Sequence, residues 1–485
     1  MVPPLTAIAR SLHPLRPFLL FMLPLLAALC LFPVSARGDD ATLKVRGDMY
    51  FSFGFTNDLP IDAERKDDRG RAMQRLRLFI TSFLNEAVRA HAFIRIAPTN
   101  WGRGMQSNGR DAGFALDTDG VNLSVRQLLL AYQQPDGRFG VSMGLIPLVM
   151  PVGAFHDGIL RTTGGGISVT YELSDWLTPR FFWARPYDDE PDEVSDPEGK
   201  GEYFHNKMDL FGLVLPITHS RTGTEITPWA MYSKIGRNSS FWRLKVPAHG
   251  AKKTGTDNDG TAWWAGLTLA TGIFDPFVIK ANAAYGSIRT GDSRNDFNTR
   301  GWHAALSLDY KLKSCTPGVF GWYASGSDEK KVRGDRMWGY TPTISAVDHG
   351  FEPTSFGFYS SEGLSSGSAI SFSMGGTWGV GARVADVSFL PDLKHTFILA
   401  HYGGTNDDEL ARDYRAHRPN TVDKTILTKG DRAFEANINS MYTVNSNLSF
   451  YVQLGLIDLH RGGSWDQWDS NKQTWQALTA VIYKF

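Results

Sequence analysis

A period of two runs through this chain. Between residues 41 and 57, Leu43, Val45, Gly47, Met49, Phe51, Phe53 and Phe55 alternate with Thr42, Lys44, Arg46, Asp48, Tyr50, Ser52 and Gly54. Successive strand side chains point to opposite faces, so this spacing predicts a strand with one apolar and one mostly polar face. The pattern returns at 71–85, where Leu76, Leu78, Ile80 and Leu84 alternate with Arg75, Arg77, Phe79 and Thr81. It returns again at 88–97, where Val88, Ala90, Ala92, Ile94 and Ile96 oppose Arg89, His91, Phe93 and Arg95. It also ends the chain, as Trp475, Ala477, Thr479, Val481, Tyr483 and Phe485.

Turn-forming clusters punctuate these runs. Short ones fall at Asn85-Glu86-Ala87, Pro135-Asp136-Gly137, Ser174-Asp175-Trp176, His219 to Gly223, Phe274-Asp275-Pro276, Ser314 to Pro317, Pro391-Asp392 and Asn445 to Asn447. They alternate with longer polar segments at 58–70 and near 102–120, 150–164, 188–202, 239–260, 291–296, 326–367, 403–430 and 461–471. Strands that pair through short turns on one side and long segments on the other make an antiparallel up-and-down sheet. The count predicts an all-β fold of about 18 strands, with 16 as the alternative. No linker separates regions of different composition, so one domain is expected. The 326–367 segment is expected as a large surface loop, with a small plug element as the weaker option.

Alternation alone does not say which face meets lipid. A soluble sandwich turns its apolar face inward, and a membrane barrel turns it outward. The chain ends decide for the barrel. Arg10 and Arg16 precede an apolar run from Phe18 to Val34, broken by Pro24 and Pro33, and Val34-Ser35-Ala36 offers a cleavage site. Residues 1–36 therefore resemble a secretory signal peptide, which leaves 37–485 as the barrel. At the other end, the aromatic finish of Tyr483-Lys484-Phe485 resembles the assembly signal of bacterial outer-membrane barrels.

Composition narrows the picture further. Basic and acidic residues balance at 50 each, so nothing points to nucleic acid. Only Cys315 remains after cleavage, so the mature chain has no internal disulfide. The 49 glycines, 14 tryptophans and 30 phenylalanines suit a barrel with aromatic belts. Trp263-Trp264, Trp302, Trp322-Tyr323, Trp475 and Tyr483 are expected in those belts, with a sugar-stacking track along the lumen as the alternative.

Two stretches carry candidate function. Arg46, Arg75, Arg77, Arg89 and Arg95 share the polar faces of three neighbouring strands. Lipid would charge ~2–4 kcal/mol for each arginine near the midplane, so they are expected to line an aqueous lumen. The second stretch is Leu145 to Gly166, LIPLVMPVGAFHDGILRTTGGG. Phe155, Ile159 and Leu160 make it too apolar for a loop in water. Folded into the barrel, it would narrow the lumen and bring His156, Asp157 and Arg161 toward the arginine wall. Opposed charges across a constriction sort solutes by size and charge. A loop capping the rim or touching a neighbouring subunit is the alternative.

The signal segment, the opening strand LKVRGDMYFSFGFTND, the segment MGLIPLVMPVGAF and the ending AVIYKF together resemble the outer-membrane homotrimeric porins of Desulfovibrio-type bacteria. The resemblance implies a trimer of water-filled barrels, embedded in outer-membrane lipid and lipopolysaccharide, that pass small hydrophilic solutes. General porins more often have 16 strands and a longer, more acidic third loop. Asp157 is the sole carboxylate between Pro151 and Gly166, which argues against strong cation selectivity.

Other chemistries find little footing. Gly363-Leu364-Ser365-Ser366-Gly367 has the G-x-S-x-G form but no helix after it. Asp117-Thr118-Asp119-Gly120 and Asp257-Asn258-Asp259-Gly260 lack the distal glutamate of an EF-hand loop and read as turns. No histidine pair has zinc-site spacing. No catalytic residue, metal or cofactor is indicated. The expected function is a passive outer-membrane diffusion porin. The alternative is a substrate-specific porin for a sugar or organic acid, similar to maltoporins. A barrel enzyme would need a defined Ser/His or carboxylate pair at the rim. A surface-binding protein would use the 326–367 and 403–430 loops.

Overall fold

The computed structural model describes residues 42–57, 68–101, 123–156, 159–188, 206–245, 258–290, 298–326, 351–358, 372, 374–408, 427–462 and 471–485. The segment 1–36, Asp157, the Gly363–Gly367 motif and Asp117–Gly120 lie outside them.

The strands are β1 (Thr42–Asn57), β2 (Asp68–Phe83), β3 (Val88–Asn100), β4 (Leu123–Gln133), β5 (Phe139–Val149), β6 (Arg161–Tyr171), β7 (Arg180–Asp188), β8 (Lys207–Val214), β9 (Ile217–His219), β10 (Thr224–Ile235), β11 (Gly260–Thr271), β12 (Phe277–Thr290), β13 (Thr299–Tyr310), β14 (Thr316–Ala324), β15 (Thr377–Leu390), β16 (Leu393–Gly404), β17 (Arg432–Thr443), β18 (Leu448–His460) and β19 (Asn471–Lys484). All pairings between them are antiparallel, and each strand pairs with its sequence neighbours. β8 and β9 both pair with β10, one above the other, so they form a single stave. Pro216, which has no N–H to donate, sits at the break between them. The 19 segments therefore make 18 staves.

The sheet closes on itself. β1 pairs with β2 along its whole length and with β19 from Asp48–Lys484 to Thr56–Gln476. At the seam Gly47 N–H donates to the Phe485 carbonyl at 2.9 Å, and Phe485 N–H donates back at 3.0 Å. Closure leaves no strand edge without a partner, which is the condition for crossing a bilayer with a sheet. No helix among the described residues is long and apolar enough to span a membrane.

The alternation resolves as expected. Leu43, Val45, Met49, Phe53 and Phe55 on β1 are exposed, while Asp48, Tyr50, Ser52 and Thr56 are buried. The same inversion holds on β18, where Phe450, Val452, Leu454 and Leu456 are exposed and Gln453 and Ile457 are buried. A water-soluble sheet would expose the other face. The apolar outer wall makes this an integral barrel of the outer-membrane type. Trp475, Tyr483 and Phe485 all lie on that wall.

Every short turn named from sequence falls at the end where β1 begins and β19 finishes, and the long segments leave from the other end. One boundary shifts: β14 already begins at Thr316, so the turn before it ends earlier. The belt assignment needs correcting. Trp263, Trp302 and Tyr323 do face outward, and Trp302 stacks on Tyr323 at 5.0 Å. Trp264 and Trp322 are their strand neighbours, so the period of two sends them inward, where both are buried.

Phe485 is expected to be the most sensitive point of closure. Its deletion removes both seam hydrogen bonds and the ring packed beside Gly47. The fraction of heat-modifiable, folded barrel in membranes should fall several-fold, and an unchanged fraction would show that the seam closes without it.

Candidate functional site

The interior is not an evenly lined tube. Its apolar residues gather into two large clusters. One joins Ile146 and Leu148 of β5, Phe182 of β7, Leu210 of β8, Met231 of β10 and Trp264 of β11 to Ile159 and Leu160. Phe241 and Trp242, from a short helix at Ser240–Lys245, belong to it as well. The other joins Phe320 and Trp322 of β14, Ala400 and Tyr402 of β16 and Ile457 of β18 to Phe155, Phe351, Phe356, Phe358 and Phe372. Both clusters combine inward-facing strand residues with segments from between strands.

The first such segment comprises residues 150–156 and 159–160. Phe155, Ile159 and Leu160 are all buried. The loop leaves β5, and its tip reaches the inner face of β12. There Asn282 Oδ1 accepts from the N–H groups of Ala154 at 3.1 Å and Phe155 at 3.5 Å. Gly153 lies flat on the β12 backbone at Ala281, where a Cβ would not fit. Phe155 then packs edge-on against Phe351 at 5.3 Å and Phe320 at 5.6 Å. The loop thus ties one apolar cluster to the other. Its boundary differs from the sequence expectation: Arg161 and Gly164 are already in β6, with Arg161 opposite Val149.

The second segment lies in 326–367, where a surface loop was expected first and a small plug element was the weaker option. Residues 351–358 belong to the stretch expected as a large surface loop, but these eight lie inside the barrel. Their anchor is Glu435 on the inner face of β17. Its carboxylate accepts from the Thr354 hydroxyl at 2.9 Å and from the N–H groups of Phe356 and Gly357 at 3.1 Å each. The Tyr402 hydroxyl donates to it at 3.0 Å. Asn437 Oδ1 accepts from Ser355 N–H at 3.1 Å, and the Asn439 and Gln453 side chains also hold Ser355. A signal was present in the sequence. Phe351, Phe356 and Phe358 fall within eight residues, the same excess of apolar surface that placed Phe155 inside.

Among the described residues, the two segments do not cover the wall of β1 to β3. Strand register brings the predicted arginines together there. Arg77 stands opposite Asp48 on one side and Arg95 on the other, and Arg75 stands opposite Tyr50. Arg46 pairs across with Phe79, which pairs with Phe93, and Arg89 lies opposite Phe83. These residues share the inward face, and Arg46 and Arg89 are exposed. Asp48 was on the polar face from the start, but its role was not read. Arg77 Nε lies 2.9 Å and 3.0 Å from its two oxygens, and Arg75 Nη2 is 3.8 Å away. The Arg75 guanidinium also stands 5.2 Å from the Tyr50 ring centre, a cation–π distance. One carboxylate therefore serves two arginines, and Arg95 adds a like charge beside Arg77. Like charges directly across a pair of strands repel, so the wall favours an anion in front of it.

Glu352 is an acidic group on the second inward segment. It is exposed between buried Phe351 and Pro353. It acts electrostatically on His156 of the first segment and on Tyr451 of β18. Tyr451 packs with Tyr50, the residue beneath Arg75. Burial lowers the His156 pKa below its ordinary value; Arg161 lowers it further, and Glu352 opposes both. The imidazole is therefore neutral at pH 7 and gains charge only in more acid solution. Elsewhere, Asp259 accepts from the Arg237 N–H at 3.1 Å. No group of metal-ligating side chains occurs among the described residues.

No protein-family model matches the chain, and no curated protein matches it. Solved structures do. Pseudomonas aeruginosa OccK9 (OpdG) aligns with TM-score 0.51 and 11% identity over 92% of this chain and 99% of that one. Acinetobacter baumannii OccAB4 aligns with TM-score 0.51 and 12% identity over 93% and 100%. Pseudomonas aeruginosa OpdK, in a crystal structure with vanillate, aligns with TM-score 0.50 and 11% identity over 91% and 99%. At these identities the shared property is the fold, a closed 18-stave barrel.

The anchor predicts a measurable change. Glu435→Ala leaves four donors without an acceptor, each at a cost of ~1–3 kcal/mol in a buried site. Segment 351–358 should undock, and single-channel conductance should rise about twofold or more. Unchanged conductance would show that this segment does not limit the lumen.

Proposed function

We propose that this chain is a selective outer-membrane channel for small organic anions, rather than a general diffusion porin. The observation that carries the proposal is the division of the lumen. Two anchored segments occupy the apolar sectors, and the sector that no described segment covers is walled by Arg46, Arg75, Arg77, Arg89 and Arg95. An anion about 5 Å from one guanidinium gains roughly 1–3 kcal/mol in a medium between water and protein. Several such groups along one wall favour entry and passage without any bond chemistry.

Selectivity comes from the opposite side of the opening. Glu352 and neutral His156, on the inward segments, would admit a solute with one charged end and an apolar body. An aromatic or aliphatic carboxylate has that form, and OpdK, with the same fold, was solved with vanillate. The pore-constriction role of His156, Asp157 and Arg161 belongs to this proposal, as does the homotrimer implied by the Desulfovibrio-type resemblance. The mass of the detergent-solubilised particle tests the trimer.

Planar-bilayer recording tests the channel. Vanillate or benzoate should block chloride current in a saturable way; current that stays linear in added carboxylate would leave a general porin. Arg77→Glu with Arg95→Glu should shift the reversal potential toward cations and cut the anion-to-cation permeability ratio several-fold. No shift would remove these residues from the pathway. A second test uses pH. Because His156 has a lowered pKa, anion preference should be flat near pH 7 and rise as pH falls well below 6.5. His156→Gln should abolish the rise, and an identical rise in that variant would exclude the residue.

A further inference from the structure

The arginine wall holds two rings that its charges do not call for. Phe79 on β2 and Phe93 on β3 stand directly opposite each other and face inward, in phase with Arg77 and Arg95. Their rings stack, with centres 4.5 Å apart and planes at 20°. Other inward rings on the strands, such as Phe182, Phe320 and Trp322, are buried in the two apolar clusters. Phe79 and Phe93 belong to neither cluster, and both are only half-buried. Apolar surface left half-covered on an inward face forgoes stabilisation that burial would supply, unless something apolar comes to lie on it.

Cations surround the pair. On the same rung Arg46 of β1 stands opposite Phe79, and its side chain is exposed. Gln127 of β4 stands opposite Phe93, so this rung carries no acid from β1 to β4. One rung toward the long segments stand Arg77 and Arg95. The Arg77 guanidinium lies 6.0 Å from the centre of the Phe79 ring, held there by both oxygens of Asp48. Toward the turn end, ring and cation alternate again. Lys44 Nζ is 5.0 Å from the Phe83 ring, and Phe83 stands opposite Arg89. Directly opposite residues are ~5 Å apart and diagonal ones ~7–8 Å. A solute ring that touches the pair therefore has a guanidinium within one side-chain length of its edge.

We propose that Phe79 and Phe93 form a stacking subsite that makes the channel prefer aromatic over aliphatic carboxylates. This rests on the anion-channel reading and adds the class of solute to it. A flat aromatic ring packs on the pair as the two rings already pack on each other. Its carboxylate turns to Arg46 on one side, or to Arg77 and Arg95 on the other, in a charge-assisted contact. A saturated ring covers the same apolar surface but has no π face, so it keeps the burial and loses the ring–ring attraction. If the pair only fills the wall, the two kinds of acid behave alike.

The test is planar-bilayer recording of chloride current through the intact channel at neutral pH, titrated with benzoate and with cyclohexanecarboxylate. Both are monoanions of similar size. Benzoate should reach half-block at about three- to tenfold lower concentration, the difference that an aromatic contact supplies. In Phe79→Leu with Phe93→Leu the two half-block concentrations should converge while block stays saturable. Phe79→Tyr with Phe93→Tyr should keep the benzoate preference. Equal half-block in the wild type, or a leucine variant that retains the preference, would overturn the subsite and leave the anion channel standing. Current that stays linear in both acids would overturn the channel reading, and the subsite with it. Should the double leucine variant not fold, Phe93→Leu alone carries the same comparison with a smaller expected loss.

Discussion

Everything in this protein depends on a sheet with no edge. In hydrocarbon, an unpaired backbone N–H or C=O costs several kcal/mol. A sheet can lie in lipid only if its first and last strands find each other. Here β1 does this twice over, with β2 on one side and β19 on the other, down to the hydrogen bonds between Gly47 and Phe485. Gly47 is small for a reason: Phe485 and the Arg77 carbonyl occupy the space where a side chain would go. Once the backbone is closed, each side chain has two destinations, and the period of two assigns them. Phe53 and Leu454 go to lipid, Asp48 and Gln453 to the interior.

Closure makes a tube, and the described segments inside it fill part of its interior. A water-filled lumen does not call for inward Phe182, Leu210, Met231, Trp264 and Trp322. These residues make sense because two segments fold in to cover them. Apolar contact drives both segments inward but is non-directional, so it does not fix where each comes to rest. The fixing is polar. Asn282 takes the two N–H groups at the tip of one segment, and Glu435 takes two N–H groups and a hydroxyl of the other. A carboxylate buried in this way is costly unless its acceptor positions are filled. The row Glu435, Asn437 and Asn439 fills them with one defined stretch of chain.

The legible and illegible parts of the sequence follow from the same physics. Strand number, closure and the sharing of a face by Arg75, Arg77, Arg89 and Arg95 could be read because the period of two acts over neighbouring residues. The burial of Phe155, Ile159 and Leu160 could be read because a short loop with that much apolar surface has nowhere else to go. The partners of those groups could not be read. Asp48 is visible on β1, but its pairing with Arg77 depends on the register of β2. Glu435 looks like any polar lumen residue until 351–358 is laid over it, 79 positions away in the chain. The adjacent pairs Trp263-Trp264 and Trp322-Tyr323 were treated as units, although a strand must send one of each pair outward and the other in.

The counter-charges bear on how such a wall can work. A channel must bind its solute well enough to draw it in and weakly enough to let it go. Five arginines with no acid near them would hold an organic anion rather than pass it. Asp48 already spends part of the charge of Arg77 and Arg75, and at 2.9 Å it does so permanently. Glu352 sits differently, exposed on the anchored segment 351–358. In the proposed channel a carboxylate there would repel a lingering anion, while Arg46 and Arg89 lie toward the turn end. The attraction is then graded along the axis instead of concentrated in one place. That grading depends on two features far apart in sequence: the strand register that pairs Asp48 with Arg77, and the Glu435 anchor that holds the Glu352 segment in place.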